Sequence, residues 1–164
     1  MYPVKLGFAE AIRRITSLID NGHSAEALVT SVFTVEKTLR RALKFAIVAR
    51  GFTSKHADVL LDRVGFHNLK TLWPCFDPKA STLPTLLGNG DWQRLTEAVA
   101  MRNKLVHGER AYTLADCSGK AKHVISVLHA LRGVLIERLG TDCWRRLPVR
   151  RTSALAWMPP AKTA

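Results

Sequence analysis

No apolar run in this 164-residue chain reaches the roughly eighteen residues a membrane-spanning helix needs, and no basic-then-apolar leader opens it. Cysteine is scarce. Cys75, Cys117 and Cys143 are odd in number, far apart and never spaced C-x-x-C, which argues against a disulfide framework or a zinc knuckle. A reducing cytoplasm is therefore the expected setting. Glycine-rich phosphate loops, a G-x-S-x-G elbow and an H-E-x-x-H pair are all missing, and acidic residues are too few and scattered to form paired carboxylates. There is no alternating strand pattern, no internal repeat and no low-complexity block. Neither a metal nor a cofactor is expected.

What the chain has in excess is positive charge. Lysine and arginine outnumber aspartate and glutamate by 25 to 13, a formal net charge of +12 with a pI near 10.3. Such an excess favours a polyanionic partner, a nucleic acid above all, because each neutralised phosphate releases counterions. Solubility alone is the competing account. With 47% hydrophobic residues, the chain can bury one core.

Helical spacing runs through most of it. Phe8, Ile12, Ile15 and Ile19 recur at steps of four, three and four until Asn21-Gly22. Ser24 reads as the cap of a long second helix, where Leu28, Val32, Val35, Leu39, Ala42 and Ala46 keep the beat to Gly51. Short helices fit Ser54 to Val64 and Leu69 to Trp73, and the prolines and glycines of 74–90 predict an irregular loop. Asp91 is a natural cap for a helix over 92–106, with Gly108 as its stop. A turn-rich link is expected over 109–119, then a last helix marked by Val124, Leu128, Leu131, Leu135 and Leu139. The expected fold is all-α, an antiparallel bundle of four or five helices over residues 1–143. Residues 144–164 read as a basic, proline-containing tail, either a disordered arm or a strap over a neighbouring surface.

One stretch, "AVAMRNKLVHG" (98–108), packs chemistry into a helix end. Leu95, Val99, Arg102 and Val106 share a stripe that points at other protein, so the Arg102 guanidinium is costly to desolvate unless paired. Asn103 and His107, four apart on the adjoining face, allow the amide to orient the imidazole. Arg102 and His107 are five apart and diverge by roughly 140°, so one helix cannot easily clamp a single group with both. Two copies facing across a two-fold axis can do so. Histidine then moves protons on a 2′-hydroxyl or leaving oxygen, while arginine stabilises the charge on phosphate. The structural alternative is a histidine favoured by the helix dipole and an arginine that bridges to Glu36.

The string "RNKLVHG" resembles the signature of HEPN domains, an arginine followed by a polar residue and then, four to six residues on, a histidine. Arg102, Asn103 and His107 match it, and "FTVEKTLRRAL" (33–43) is similar to the family's acidic, amphipathic upstream helix. The resemblance covers the helical layout of roughly residues 5–140, with only the motif specific. It implies a metal-independent endoribonuclease acting as a homodimer, with His107 the acid/base, Arg102 on the phosphate, and Asn103 and Glu36 in support. It also implies a toxin or phage-defence role, frequently beside a nucleotidyltransferase-type antitoxin. In one antitoxin-controlled branch a tyrosine stands two residues after the histidine. Glu109 stands there instead, and the nearest tyrosine is Tyr112. Other members are non-catalytic and bind RNA or protein.

Lys104 and Arg110 beside the motif, with Arg40, Arg41 and Lys44 on the second helix, are candidate RNA contacts; a solvated helix face is the alternative. In the tail, Arg145, Arg146, Arg150 and Arg151 accompany Trp144 and Trp157, a mixture suited to single strands or to a partner groove. His123 and His129 lie six apart on different faces and make poor metal ligands. His23, His56 and His67 suggest no cluster.

Overall fold

The apolar residues read at helical spacing meet in one interior. Phe8 and Ile15, Leu28, Val32, Val35 and Leu39, Leu95 and Val99, and Val124, Leu128, Leu131 and Leu135 are all buried. The structure, a computed structural model, describes residues 7–156. Among them it contains seven helices and no strand: α1 (Phe8–Asp20), α2 (Ser24–Ala49), α3 (Ser54–Leu60), α4 (Phe66–Phe76), α5 (Leu83–Leu87), α6 (Asn89–Val106) and α7 (Leu114–Leu139). The all-α expectation holds. No described helix is long and apolar enough to cross a membrane.

The four long helices, α1, α2, α6 and α7, alternate in direction. α6 and α7 are joined by a short link and clasped by Lys120 Nζ on Glu97 at 2.8 Å. The C-terminal ends of α2 and α7 lie together, since Arg50 and Arg138 both reach Asp77 and Arg41 reaches the carbonyls of Cys143 and Trp144. α2 and α7 therefore run parallel to each other and antiparallel to α1 and α6. α2 is covered on most sides, so its polar core residues must pair internally. Ser31, Thr34 and Thr38 donate to the carbonyls of Leu28, Thr30 and Thr34 at 2.7–2.8 Å.

Helix ends depart from expectation in informative ways. His23, not Ser24, is the N-cap of α2, and Ser24 is already helical and buried. The region 74–90 is less irregular than its prolines suggest. Pro74 falls in the last turn of α4, where only one backbone bond is lost, and Pro84 sits in the first turn of α5, where a missing N–H costs nothing. Gly88, at φ 84°, is the N-cap of α6, and Asp91 lies in its first turn. The link before α7 is shorter than expected because the Thr113 hydroxyl accepts from Asp116 N at 3.1 Å, which starts the helix ahead of Gly119.

The chain beyond Cys143 returns across its own body. Trp144 is buried against Phe8, and its Nε1 donates to Thr38 Oγ1 at 3.2 Å. Further along, Ser54 N donates to Arg150 O at 2.9 Å and Ala154 N to Gly51 O at 2.8 Å. Gly51 has φ 105°, and a Cβ there would meet Ala154 C at 3.2 Å, so both backbone and strap require glycine. As far as Ala154 the segment is a strap, held on its own chain rather than on a neighbour. Trp157 lies outside the described residues.

Asp142 fastens the start of that strap. It accepts from Arg132 Nη2 at 2.6 Å and Trp144 N at 3.0 Å. The Arg132 hydrogen bond, against a smaller opposing effect of burial, holds its carboxyl below the usual range. A depressed folded pKa contributes stability that is full above an ordinary aspartate value of about 3.9 and is lost as pH falls through the folded value. Asp142→Asn is expected to cost about 1–3 kcal/mol at neutral pH and to shrink that acid-range loss, read by urea melts from pH 7 down to 2.5.

Candidate functional site

The site begins with Arg40. Its guanidinium donates to Leu61 O and, at 2.6 Å, to Val64 O, which pins the turn between α3 and α4 onto the middle of α2. Lys44 adds an ion pair to Asp58 on α3. The turn includes Arg63 at φ 51°, a strained value for a side-chain-bearing residue. As a result, α4 starts opposite Glu36 of α2 and Arg102 of α6. The space between them is a cavity of about 510 Å³, lined by Glu36, the first residues of α4, and Trp92 to Asn103 of α6.

Arg102 Nη2 donates to Glu36 Oε1 in this cavity, with side chains 22% and 17% exposed. That pair settles how a guanidinium is accommodated on an inward stripe. Leu95 and Val99 lie in the core, Arg102 is at its edge, and Val106 is out in solvent at 57% exposure. The stripe therefore does not face protein along its whole length, as the spacing suggested. Arg102 Nε is buried with no hydrogen-bond partner among the described residues.

His107 occupies a different place. It is the C-cap of α6, exposed, with ψ near 1°. Gly108 follows at φ 69°, and Glu109 N closes the end onto Lys104 O at 2.9 Å. The expected Asn103 amide to His107 imidazole contact is not formed. The two residues meet only through the backbone, His107 N to Asn103 O at 3.0 Å, because the chain leaves helical geometry at His107. The His107 ring forms no hydrogen bond or ion pair among the described residues, and it does not line the cavity that holds Arg102 and Asn103. One chain thus brings Arg102, Asn103 and Glu36 together and leaves His107 apart.

The candidate RNA contacts divide in two. Lys104 and Arg110 are exposed, and Arg110 lies 5.2 Å from the Tyr112 ring centre. Arg40, Arg41 and Lys44 are not a free track. Arg41 donates to Cys143 O at 2.8 Å and Trp144 O at 3.3 Å, and the other two hold α3. In the tail, Trp144 is a core residue rather than a stacking surface, flanked by Lys37 and Arg41 at 4.9 and 5.5 Å. Burial, with Arg41 nearby, pushes the Lys37 ammonium pKa down.

Sequence reasoning set His67 aside as part of no cluster and gave no role to other lining residues, notably Phe66 and Lys70 on α4 and Trp92 on α6. Phe66 and Trp92 stack at 5.7 Å with planes 19° apart, and Lys70 Nζ lies 5.4 Å from the Trp92 ring centre. No local signal marks them, since their meeting depends on the Arg40 tether. No group of three or more metal-capable side chains forms among the described residues. Burial raises the Cys143 thiol pKa to about 11 and lifts that of Cys117.

Compared with family models, curated proteins and solved structures, the chain matches none.

Two outcomes follow. Glu36→Ala is expected to cost about 1–3 kcal/mol, less than the roughly 3–5 kcal/mol of a fully buried pair, because part of each side chain stays solvated. Adding Arg102→Ala should recover part of that loss in denaturant melts, since no unpaired charge is left. A maleimide should label only Cys75 in the native protein, because Cys117 and Cys143 are buried, and all three thiols once unfolded.

Proposed function

We propose that this chain is a metal-independent endoribonuclease of the HEPN type, working as a homodimer in a toxin or phage-defence role. The observation that carries the reading is the division of the α6 end. Arg102 is held by Glu36 at the cavity while His107, one residue before Gly108, stands exposed and unpartnered.

In this reading, an unrestrained imidazole at a helix end is placed to exchange protons with a substrate. His107 takes the proton of a ribose 2′-hydroxyl as its oxygen bonds to the adjacent phosphorus, and a protonated His107 from the second copy returns one to the departing 5′-oxygen. The P–O5′ bond breaks and a cyclic phosphate remains. Arg102 counters the added negative charge on the phosphoryl oxygens, and Asn103 assists. Glu36 keeps the guanidinium oriented. Lys104 and Arg110 are free to meet flanking phosphates.

A second copy is favoured by what surrounds the pair. α2 and α6 are antiparallel, so Phe33, a turn before Glu36, and Val106, a turn after Arg102, flank the ion pair on one side. Both are 57% exposed. Burying them across a two-fold axis would bring the two motifs close. A nucleotidyltransferase-type antitoxin is the expected regulator, although Glu109 stands where one branch keeps its modified tyrosine.

One observation favours a second reading, a non-catalytic module that binds RNA or protein. Arg102 already has a carboxylate partner and therefore needs no phosphate to be stable. Incubation of the purified protein with mixed RNA in EDTA separates the two. The nuclease reading expects cleavage that survives chelation and falls on the order of 100-fold in His107→Ala. Cleavage undiminished in that variant, or a strict monomer by size-exclusion chromatography, overturns it.

A further inference from the structure

The cavity between α4 and α6 contains, beside Arg102, Asn103 and Glu36, side chains that the cleavage chemistry does not use. Its volume, about 510 Å³, lies within the range of small-molecule pockets. Part of the lining is the stacked Phe66–Trp92 pair, packed against the core and only partly buried, so the rings keep apolar surface toward the cavity. Polar groups make up much of the remaining lining. Asn68 and Asn103 bring amides that both donate and accept, and Lys70 and His67 bring donors. Glu36 is the one acid among the lining residues, and Arg102 already neutralises it. The balance is positive.

The electrostatics of the wall are unusual for a bare surface. α4 begins at Gly65 with no side-chain cap and no acidic residue in its first turn. Lys70 follows in its second turn. A Cβ built on Gly65 would meet nothing within 4 Å, so the approach to the first-turn amides is open. An anion seated there would answer the amides, the lysine and the dipole together. A planar ring attached to that anion would reach the aromatic wall.

We propose that this cavity is a nucleotide subsite for single-stranded RNA, taking one phosphate at Lys70 and the start of α4 and one base against Phe66 and Trp92. The cavity shares Arg102, Asn103 and Glu36 with the nuclease reading, but Phe66, Lys70 and Trp92 have no part in that chemistry, so the subsite is testable apart from it. Phosphate charge with stacking, and no fixed pattern of base-edge contacts, suits a strand read for being unpaired rather than for its sequence. It also places recognition on each chain separately.

The test is fluorescence anisotropy with a fluorescein-labelled 2′-O-methyl oligouridylate of about six nucleotides, a length typical of single-strand sites. The missing 2′-hydroxyl prevents cleavage. Wild-type protein is expected to bind it with strong salt dependence. Lys70→Glu should weaken binding about ten-fold and flatten the salt dependence. Trp92→Leu should weaken it about ten-fold through lost stacking. Lys70 is exposed, so its variant decides the matter even if Trp92→Leu fails to fold in a thermal melt. Wild-type affinity in Lys70→Glu, or no binding by the wild-type chain, overturns the subsite. So does loss confined to Arg145→Glu/Arg146→Glu, which would move RNA to the strap. Binding at the cavity without any cleavage of natural RNA would instead remove the nuclease reading and leave this one standing. Cleavage lost in His107→Ala with no role for Lys70 would do the reverse.

Discussion

A guanidinium on an inward-facing stripe must find a negative partner, and the Arg102–Glu36 pair meets that demand. It joins α6 to α2 across the core edge at the level where α4 begins. Without it, Arg102 would either carry an unpaired charge at low dielectric or swing to solvent, and the register of α6 against α2 would lose its polar marker. Both residues line the cavity.

The same logic governs much of the basic excess. A net charge of +12 invites a picture of a uniformly attractive surface. Several arginines instead serve as internal ties. Arg40 holds the α3–α4 turn, Arg41 holds the carbonyls that follow α7, and Arg50 and Arg138 converge on buried Asp77. Arginine suits this work because its planar fork can serve two acceptors at once. The exposed charge is spread more widely: Lys104 and Arg110 at the motif, Lys70 at the cavity, Arg145, Arg146 and Arg151 on the strap, and Lys55, Lys79 and Lys122 elsewhere.

The helices were legible because burial imposes a period that survives in sequence. Leu28, Val32, Val35 and Leu39 carry it in α2, and Val124, Leu128, Leu131 and Leu135 in α7. Helix ends were less so. Pro74 and Pro84 read as loop residues, yet each stands in a terminal turn where proline is tolerated, and Thr113 begins α7 ahead of a glycine that looked like a boundary. The candidate site was half visible. Arg102, Asn103, His107 and the Glu36 bridge lie in or follow from local patterns, whereas His67 and Lys70 are anonymous in sequence.

Sequence alone determined the all-helical class, the one core, the basic balance and the motif at the end of α6, because each follows from spacing or composition within a few turns of chain. Tertiary structure decided the rest. It separated His107 from Arg102, turned Arg40 and Arg41 into ties, put Trp144 in the core, and brought α4 to face α6. Those outcomes depend on groups tens of residues apart competing for the same partners. Carbonyls and carboxylates freed at helix ends claim whichever cations the packing brings near, and no local pattern records that choice.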